Sequence, residues 1–172
     1  MINLLFKKPV VRKTPQGFSI VENVFSLKER SLMKKQLCPL VQYRGSNFPG
    51  LQSDPDIHHL VKSSGFFNFY TKLFDILYGY NRSKTVGIVK SWVNLQNKNT
   101  VPVWHTHPGS DYTCVYYLVN PEKIGTVIDY NNKIFQYEMK ENSLLILPST
   151  VRHSAPVVKK ERFTVAIDYI EM

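Results

Sequence analysis

From Thr85 to the C-terminus the chain is a succession of short runs dominated by Val, Ile, Thr, Tyr and Phe: TVGIVKSWVNLQ, VPVWHTH, DYTCVYYLV, GTVIDY, KIFQYEM, SLLILP and RFTVAIDYI. Between them stand QNKN, HPGS, NPEK, NN, KEN and PST. β-Branched and aromatic side chains suit a pleated, half-buried surface, whereas clusters of Gly, Pro, Asn and Ser break it, so each run reads as a strand and each interval as a turn. Short strands at this spacing point to a barrel-like sandwich of the jelly-roll type.

The first half is mixed. FSIVENVF reads as a strand or extended entry, and Ser26 with Glu29 forms the pattern of a capping box for a helix through LKERSLMKKQL that ends before Pro39. A second helix is expected over 66–78, where Phe66, Phe69, Tyr70, Leu73, Phe74 and Leu77 recur at helical spacing and Gly79 follows as a stop. These aromatics read as core. YRGSNFPGLQSDPD, between the helices, is rich in Gly, Pro, Ser and Asp and reads as a long loop, with 43–54 and the turn at 107–112 bordering the mouth of the barrel. We expect an N-terminal extension over 1–17 and a single domain over 18–172.

Composition narrows the function classes. The 172 residues are 43% hydrophobic and 13% aromatic, enough for one domain with a substantial core. No apolar run approaches the roughly 20 residues of a membrane helix, and MINLLFKKPVVRK is too short and too soon charged for a signal peptide, so the expected compartment is the cytoplasm, with no membrane partner. Cys38 and Cys114 are far apart and in no CxxC pattern, which points to reduced thiols rather than a disulfide framework or a structural zinc site. With 22 basic and 13 acidic residues the net charge is +9, which favours acidic partners, although the basic residues are scattered and form no dense nucleic-acid tail.

Five histidines are present, and two of them, His105 and His107, stand two apart in an expected strand. Residues at that spacing face the same side, so both imidazoles can reach one point in the barrel. An HxH pair alone also occurs as a hydrogen-bonded surface pair. His153 adds a third imidazole, after the strand SLLILP and a Pro-Ser turn, where it can meet the other two, and three such histidines read as a metal site. Arg162 begins the next strand, nine residues after His153, and shares a face with Thr164. A guanidinium beside a hydroxyl suits a carboxylate, which arginine grips with two parallel charge-assisted bonds. Trp92 and Trp104 read as core or as substrate-stacking walls, and His58 and His59 as a helix start or a surface pair.

The order Asn94-x-Gln96, His105-x-His107, Tyr116-Tyr117-Leu118, Gly125 with its strand, LLILPSTVRH ending at His153, and ERFTVAI resembles the 2-oxoglutarate- and iron(II)-dependent dioxygenases, in particular small bacterial and phage-type members. The resemblance spans roughly 18–170 and includes IVENVFSLKER and FPGLQS. It implies a mainly β fold with flanking helices, a double-stranded β-helix of the jelly-roll, cupin-like kind. It also implies Fe(II) held by His105 and His153, 2-oxoglutarate as cosubstrate with dioxygen, and ascorbate as a reductant. Arg162, assisted by Thr164, would partner the cosubstrate's distal carboxylate, with Asn94 and Tyr116 or Tyr117 as further contacts. Most members carry a carboxylate where this chain has His107, although some relatives carry HxH. His107 is therefore expected as the third ligand, with Asp111 in the HPGSD turn as the alternative. The implied activity is hydroxylation of a protein, nucleobase or metabolite, with an anionic substrate favoured by the charge. The alternatives are a noncatalytic binding or structural protein that keeps the jelly-roll, and a cupin-type three-histidine metalloprotein. A viral origin would place it in the host cytoplasm.

Overall fold

The computed structural model describes residues 8–41, 43–45, 48–54, 64–80, 86–98, 100 and 103–172; His58 and His59 lie outside them. The two expected helices are both present. In α1, Leu27–Leu37, the Ser26 side chain accepts from the Glu29 backbone N–H at 3.3 Å and the Glu29 carboxylate accepts from the Ser26 N–H at 2.7 Å, so the capping box satisfies two otherwise orphaned donors. Lys34 and Lys35 sit in its last turn, where cations complement the helix dipole, and a 3-10 turn over Cys38–Leu40 with Pro39 ends it. α2 runs Ser64–Tyr80 and buries Phe69, Tyr70, Leu73 and Leu77. Gly79 was expected to stop this helix; it lies inside the last turn without a positive φ.

The described strands form an eight-stranded and a three-stranded sheet, with every pairing antiparallel. The large sheet is built from β1 (Val10–Lys13), β2 (Ser19–Glu22), β3 (Tyr43–Gly45), β4 (Phe48–Gln52), β5 (Val86–Gln96), β6 (Tyr112–Val119), β9 (Ser143–Pro148) and β11 (Arg162–Glu171), in the order β1-β2-β9-β6-β11-β5-β4-β3. The small sheet is β10-β7-β8, from β7 (Ile124–Tyr130), β8 (Lys133–Glu138) and β10 (Arg152–Ser154). Three expectations change. Residues 10–13, assigned to the extension, pair with β2, and the long loop contains the β3–β4 hairpin, which adds to the open edge of β5. VPVWHTH contributes only a single bridge at His105 among its described residues.

Alternation along the central strands separates two cores. Cys114, Tyr116 and Leu118 of β6, Leu144 and Ile146 of β9, and Val165, Ile167 and Tyr169 of β11 face α1 and α2. Val115 and Tyr117 of β6 and Leu145 and Leu147 of β9 face inward, where they pack with Phe18, Ile20, Ile128, Met139 and Val151. The inner face of β11 is different in character: Arg162, Thr164, Ala166 and Asp168 point the same way and are all buried.

The β7–β8 pair closes the inner layer. Asn131 and Asn132 both adopt positive φ, 52° and 58°, as a tight hairpin turn of matching twist requires and as asparagine tolerates. At Gly125 a Cβ would meet the Tyr137 carbonyl oxygen and lie 2.7 Å from Met139 Cγ, so only glycine lets the two strands approach this closely.

Candidate metal centre

Backbone pairing, rather than a regular strand, brings the histidines together. His105 N donates to the His153 carbonyl at 2.9 Å and His153 N returns the bond at 3.0 Å, while His107 N donates to the Ser149 carbonyl at 3.0 Å. The 105–107 segment is thus held in extended form against 149–153, which preserves the two-residue alternation the sequence suggested. Gly109, at φ 90°, then turns the chain towards β6.

The three rings form a compact triangle, with centroids 5.0 Å apart for His105–His107, 4.7 Å for His105–His153 and 5.0 Å for His107–His153. One nitrogen from each lies within 4.8 Å of the others. Each Nδ1 already faces an oxygen: the Val103 carbonyl at 2.9 Å for His105, the Val151 carbonyl at 2.8 Å for His153, and Asp168 Oδ2 at 2.9 Å for His107. Carbonyl and carboxylate oxygens only accept, so Nδ1 carries the proton in each neutral ring and Nε2 is left with its lone pair. His107 Nε2 and His153 Nε2 stand 3.2 Å apart. Lone pairs directed at each other over that distance repel unless a proton or a cation lies between them. A divalent metal that prefers imidazole nitrogen satisfies all three.

Burial favours the neutral form of two of these rings. Burial, followed by the neighbouring His105 and His107, pushes His153 down to about 3, and burial also lowers His105. Neutral imidazole is the form that binds metal. Trp92 stacks on His107 at 5.6 Å, and the parallel His107 and His153 rings continue the stack.

The inner end of β11 carries a second polar group. Arg162 is 3% exposed; its Nη1 donates to Gln96 Oε1 at 2.7 Å, its guanidinium lies 4.9 Å over the Tyr117 ring, and its Nε and Nη2 have no hydrogen-bond partner among the described residues. Gln96 Nε2 donates to the Pro156 carbonyl, which fixes the amide so that its oxygen faces Arg162. Thr164 accepts a long contact from Asn94 Nδ2 at 3.5 Å, and Asn94 Oδ1 accepts from Gln52 Nε2 at 2.6 Å. A buried guanidinium with two free donors is costly to leave unmatched and fits an anion with two oxygens.

Two of the expected site residues are not in this group. Tyr116 faces the helices, packs on Phe25 and Phe69, and donates to Asn142 Oδ1 at 3.1 Å; Tyr117, one residue on, lies under Arg162. The cause is strand alternation, which puts Tyr116 and Tyr117 on opposite faces. Asp111 is exposed and its carboxylate accepts from the Glu171 N–H at 2.8 Å, outside the histidine cluster. Asp168 was missed. Its signal was present as an acid within the apolar run VAIDYI, an even number of residues from Arg162 and so on the same face.

Neither a protein-family model nor a curated protein matches the sequence. Solved structures do. A prolyl-4-hydroxylase from Pseudomonas putida aligns at TM-score 0.70 with 10% identity, covering 91% of this chain and 93% of the other. HygX from Streptomyces hygroscopicus, with nickel and 2-oxoglutarate bound, aligns at 0.67 with 14% identity over 89% and 82%. A prolyl hydroxylase from Trichoplax adhaerens, in complex with a peptide fragment of hypoxia inducible factor, aligns at 0.67 with 16% identity over 91% and 84%. The fold is that of the 2-oxoglutarate- and iron(II)-dependent oxygenases. In this oxygenase fold the large sheet and the helices behind it act as the scaffold, and the polar inner face of β11 and the histidine triangle occupy the inner side. No helix among the described residues is long and apolar enough to cross a membrane.

Proposed function

We propose that the chain is a 2-oxoglutarate- and iron(II)-dependent oxygenase that hydroxylates a substrate other than its cosubstrate. The observation that carries this reading is the combination, inside one oxygenase fold, of three converging imidazole nitrogens and a buried guanidinium with two unused donors. His105, His107 and His153 would hold the iron through Nε2. Iron(II) with 2-oxoglutarate supplies the oxidising chemistry when bound.

The chain's own residues bind and aim. Arg162 presents Nε and Nη2 to the distal carboxylate of 2-oxoglutarate, while Gln96 holds Nη1 and keeps the fork from rotating. The Tyr117 ring covers one face of the guanidinium, and Thr164 offers a hydroxyl beside it. Trp92 restrains the His107 ring by stacking. The net charge of +9 favours an anionic prime substrate, and ascorbate is the natural reductant for keeping the iron divalent.

A second reading has one observation in its favour. The histidine cluster contains no carboxylate among the described residues, as in a three-histidine metalloprotein that works without 2-oxoglutarate. Arg162 argues for the first reading, because a buried guanidinium with two idle donors has no role in the second.

The decisive experiment is anaerobic reconstitution with iron(II) and 2-oxoglutarate, monitored for the weak visible charge-transfer band of the chelate, then admission of air with ascorbate and measurement of succinate. The band and succinate are expected. Metal binding with no band and no 2-oxoglutarate affinity would favour the cosubstrate-free reading.

A further inference from the structure

The histidine cluster holds no carboxylate among the described residues, but one lies directly behind it. Asp168 Oδ2 lies 2.9 Å from His107 Nδ1, both side chains are less than a tenth exposed, and the two residues are 61 apart in sequence. The other oxygen, Oδ1, is buried and has no hydrogen-bond partner among the described residues. Lys90, opposite Asp168 in the β5–β11 register, is exposed and makes no ion pair with it among the described residues. A buried carboxylate with no cation beside it is unfavourable unless a neighbouring group compensates its charge.

We propose that Asp168 is a positioning residue of the metal centre: it fixes His107 with Nδ1–H towards the carboxylate and Nε2 towards the metal, and it supplies the negative charge that an Asp or Glu ligand would otherwise bring. The inference rests on the metal-binding reading above. Three neutral imidazoles leave a divalent cation at +2, and with Asp168 the local sum is +1, the same as for two imidazoles and a directly bound carboxylate. An imidazole that donates to a carboxylate is also a stronger ligand, because partial withdrawal of the Nδ1 proton raises electron density at Nε2. Trp92, stacked on His107 with ring centroids 5.6 Å apart, restrains the remaining freedom of the ring.

The arrangement makes a prediction that a purely structural aspartate does not. Cobalt(II) affinity is measured by calorimetry on the full chain for wild type, Asp168→Asn, His107→Asp and the double variant. Loss of a partner outside the ligand set typically weakens metal binding about 10- to 100-fold, and that loss is expected for Asp168→Asn in the wild-type background. With Asp at 107 the carboxylate is in the ligand set, so adding Asp168→Asn should change affinity by less than about threefold or improve it. Equal losses in both backgrounds, or no loss in either, would overturn the proposal. Nitrogen NMR of the histidines in unaltered protein provides the check if a variant does not fold: His107 should show Nδ1–H with and without zinc(II), and an Nε2–H tautomer in the metal-free protein would sink the idea. A His105→Ala, His153→Ala control separates the two levels. Cobalt binding that survives in it overturns the metal reading, whereas binding lost in it but indifferent to Asp168 overturns this inference alone.

Discussion

His105 and His153, 48 residues apart, exchange backbone hydrogen bonds of 2.9 and 3.0 Å, so the positions of these two imidazoles are set by main-chain pairing rather than by side-chain packing alone. The bridge ties the segment before β6 to β10, and β10 pairs with β7, with His153 opposite Ile128. An imidazole pair anchored this way is pre-organised, which would limit the ordering that metal binding requires.

Removing two of the three imidazoles should abolish the site. Purified wild type is expected to bind about one divalent metal per chain, as one cluster of three imidazoles implies, and the His105→Ala, His153→Ala variant none. Metal analysis after dialysis decides it, and an unchanged stoichiometry would place the metal elsewhere.

Arg162→Ala should weaken 2-oxoglutarate binding and leave metal binding intact. Loss of one buried charge-assisted partner costs about 2–5 kcal/mol. Titration calorimetry with 2-oxoglutarate, on metal-loaded protein without oxygen, should show the difference; equal affinities would show that the unused donors of Arg162 serve another purpose.

Replacing the third histidine by the commoner carboxylate tests whether the centre is chemically competent. His107→Asp should keep or raise succinate formation in the absence of a prime substrate, because a carboxylate ligand lowers the charge at the metal. Wild type should also turn over, and His153→Ala should not. Succinate per hour with iron(II) and ascorbate is the readout, and silence in wild type and His107→Asp alike, with metal and 2-oxoglutarate bound, would favour a noncatalytic protein.

Gly125→Ala should destabilise the fold without a direct effect on the metal. The added methyl would meet the Tyr137 carbonyl and Met139 Cγ, and forcing β7 and β8 apart costs about 1–3 kcal/mol. A lowered thermal midpoint with unchanged metal stoichiometry is expected; an unchanged midpoint would mean that the strands separate freely.

What the sequence alone determined is whatever depends on neighbours along the chain. The strand runs after Thr85 other than VPVWHTH, the Ser26–Glu29 capping box, the helical spacing of Phe69, Tyr70, Leu73 and Leu77, and the pairing of Arg162 with Thr164 on one face all follow from local periodicity and capping chemistry, and the structure contains each of them. Periodicity says which residues share a face but not which face turns inward. That choice separated Tyr117 from Tyr116, and it needed the register of β6 against β11, with Tyr117 opposite Thr164. The β3–β4 hairpin was hidden for a related reason: YRGSNFPGLQ carries turn-forming residues, and its strands exist only because β5 offers an edge to pair with. Asp168 depends on tertiary structure most of all. Nothing local marks it as the partner of His107, and only the packing of β11 against the 105–107 segment brings a carboxylate to that imidazole.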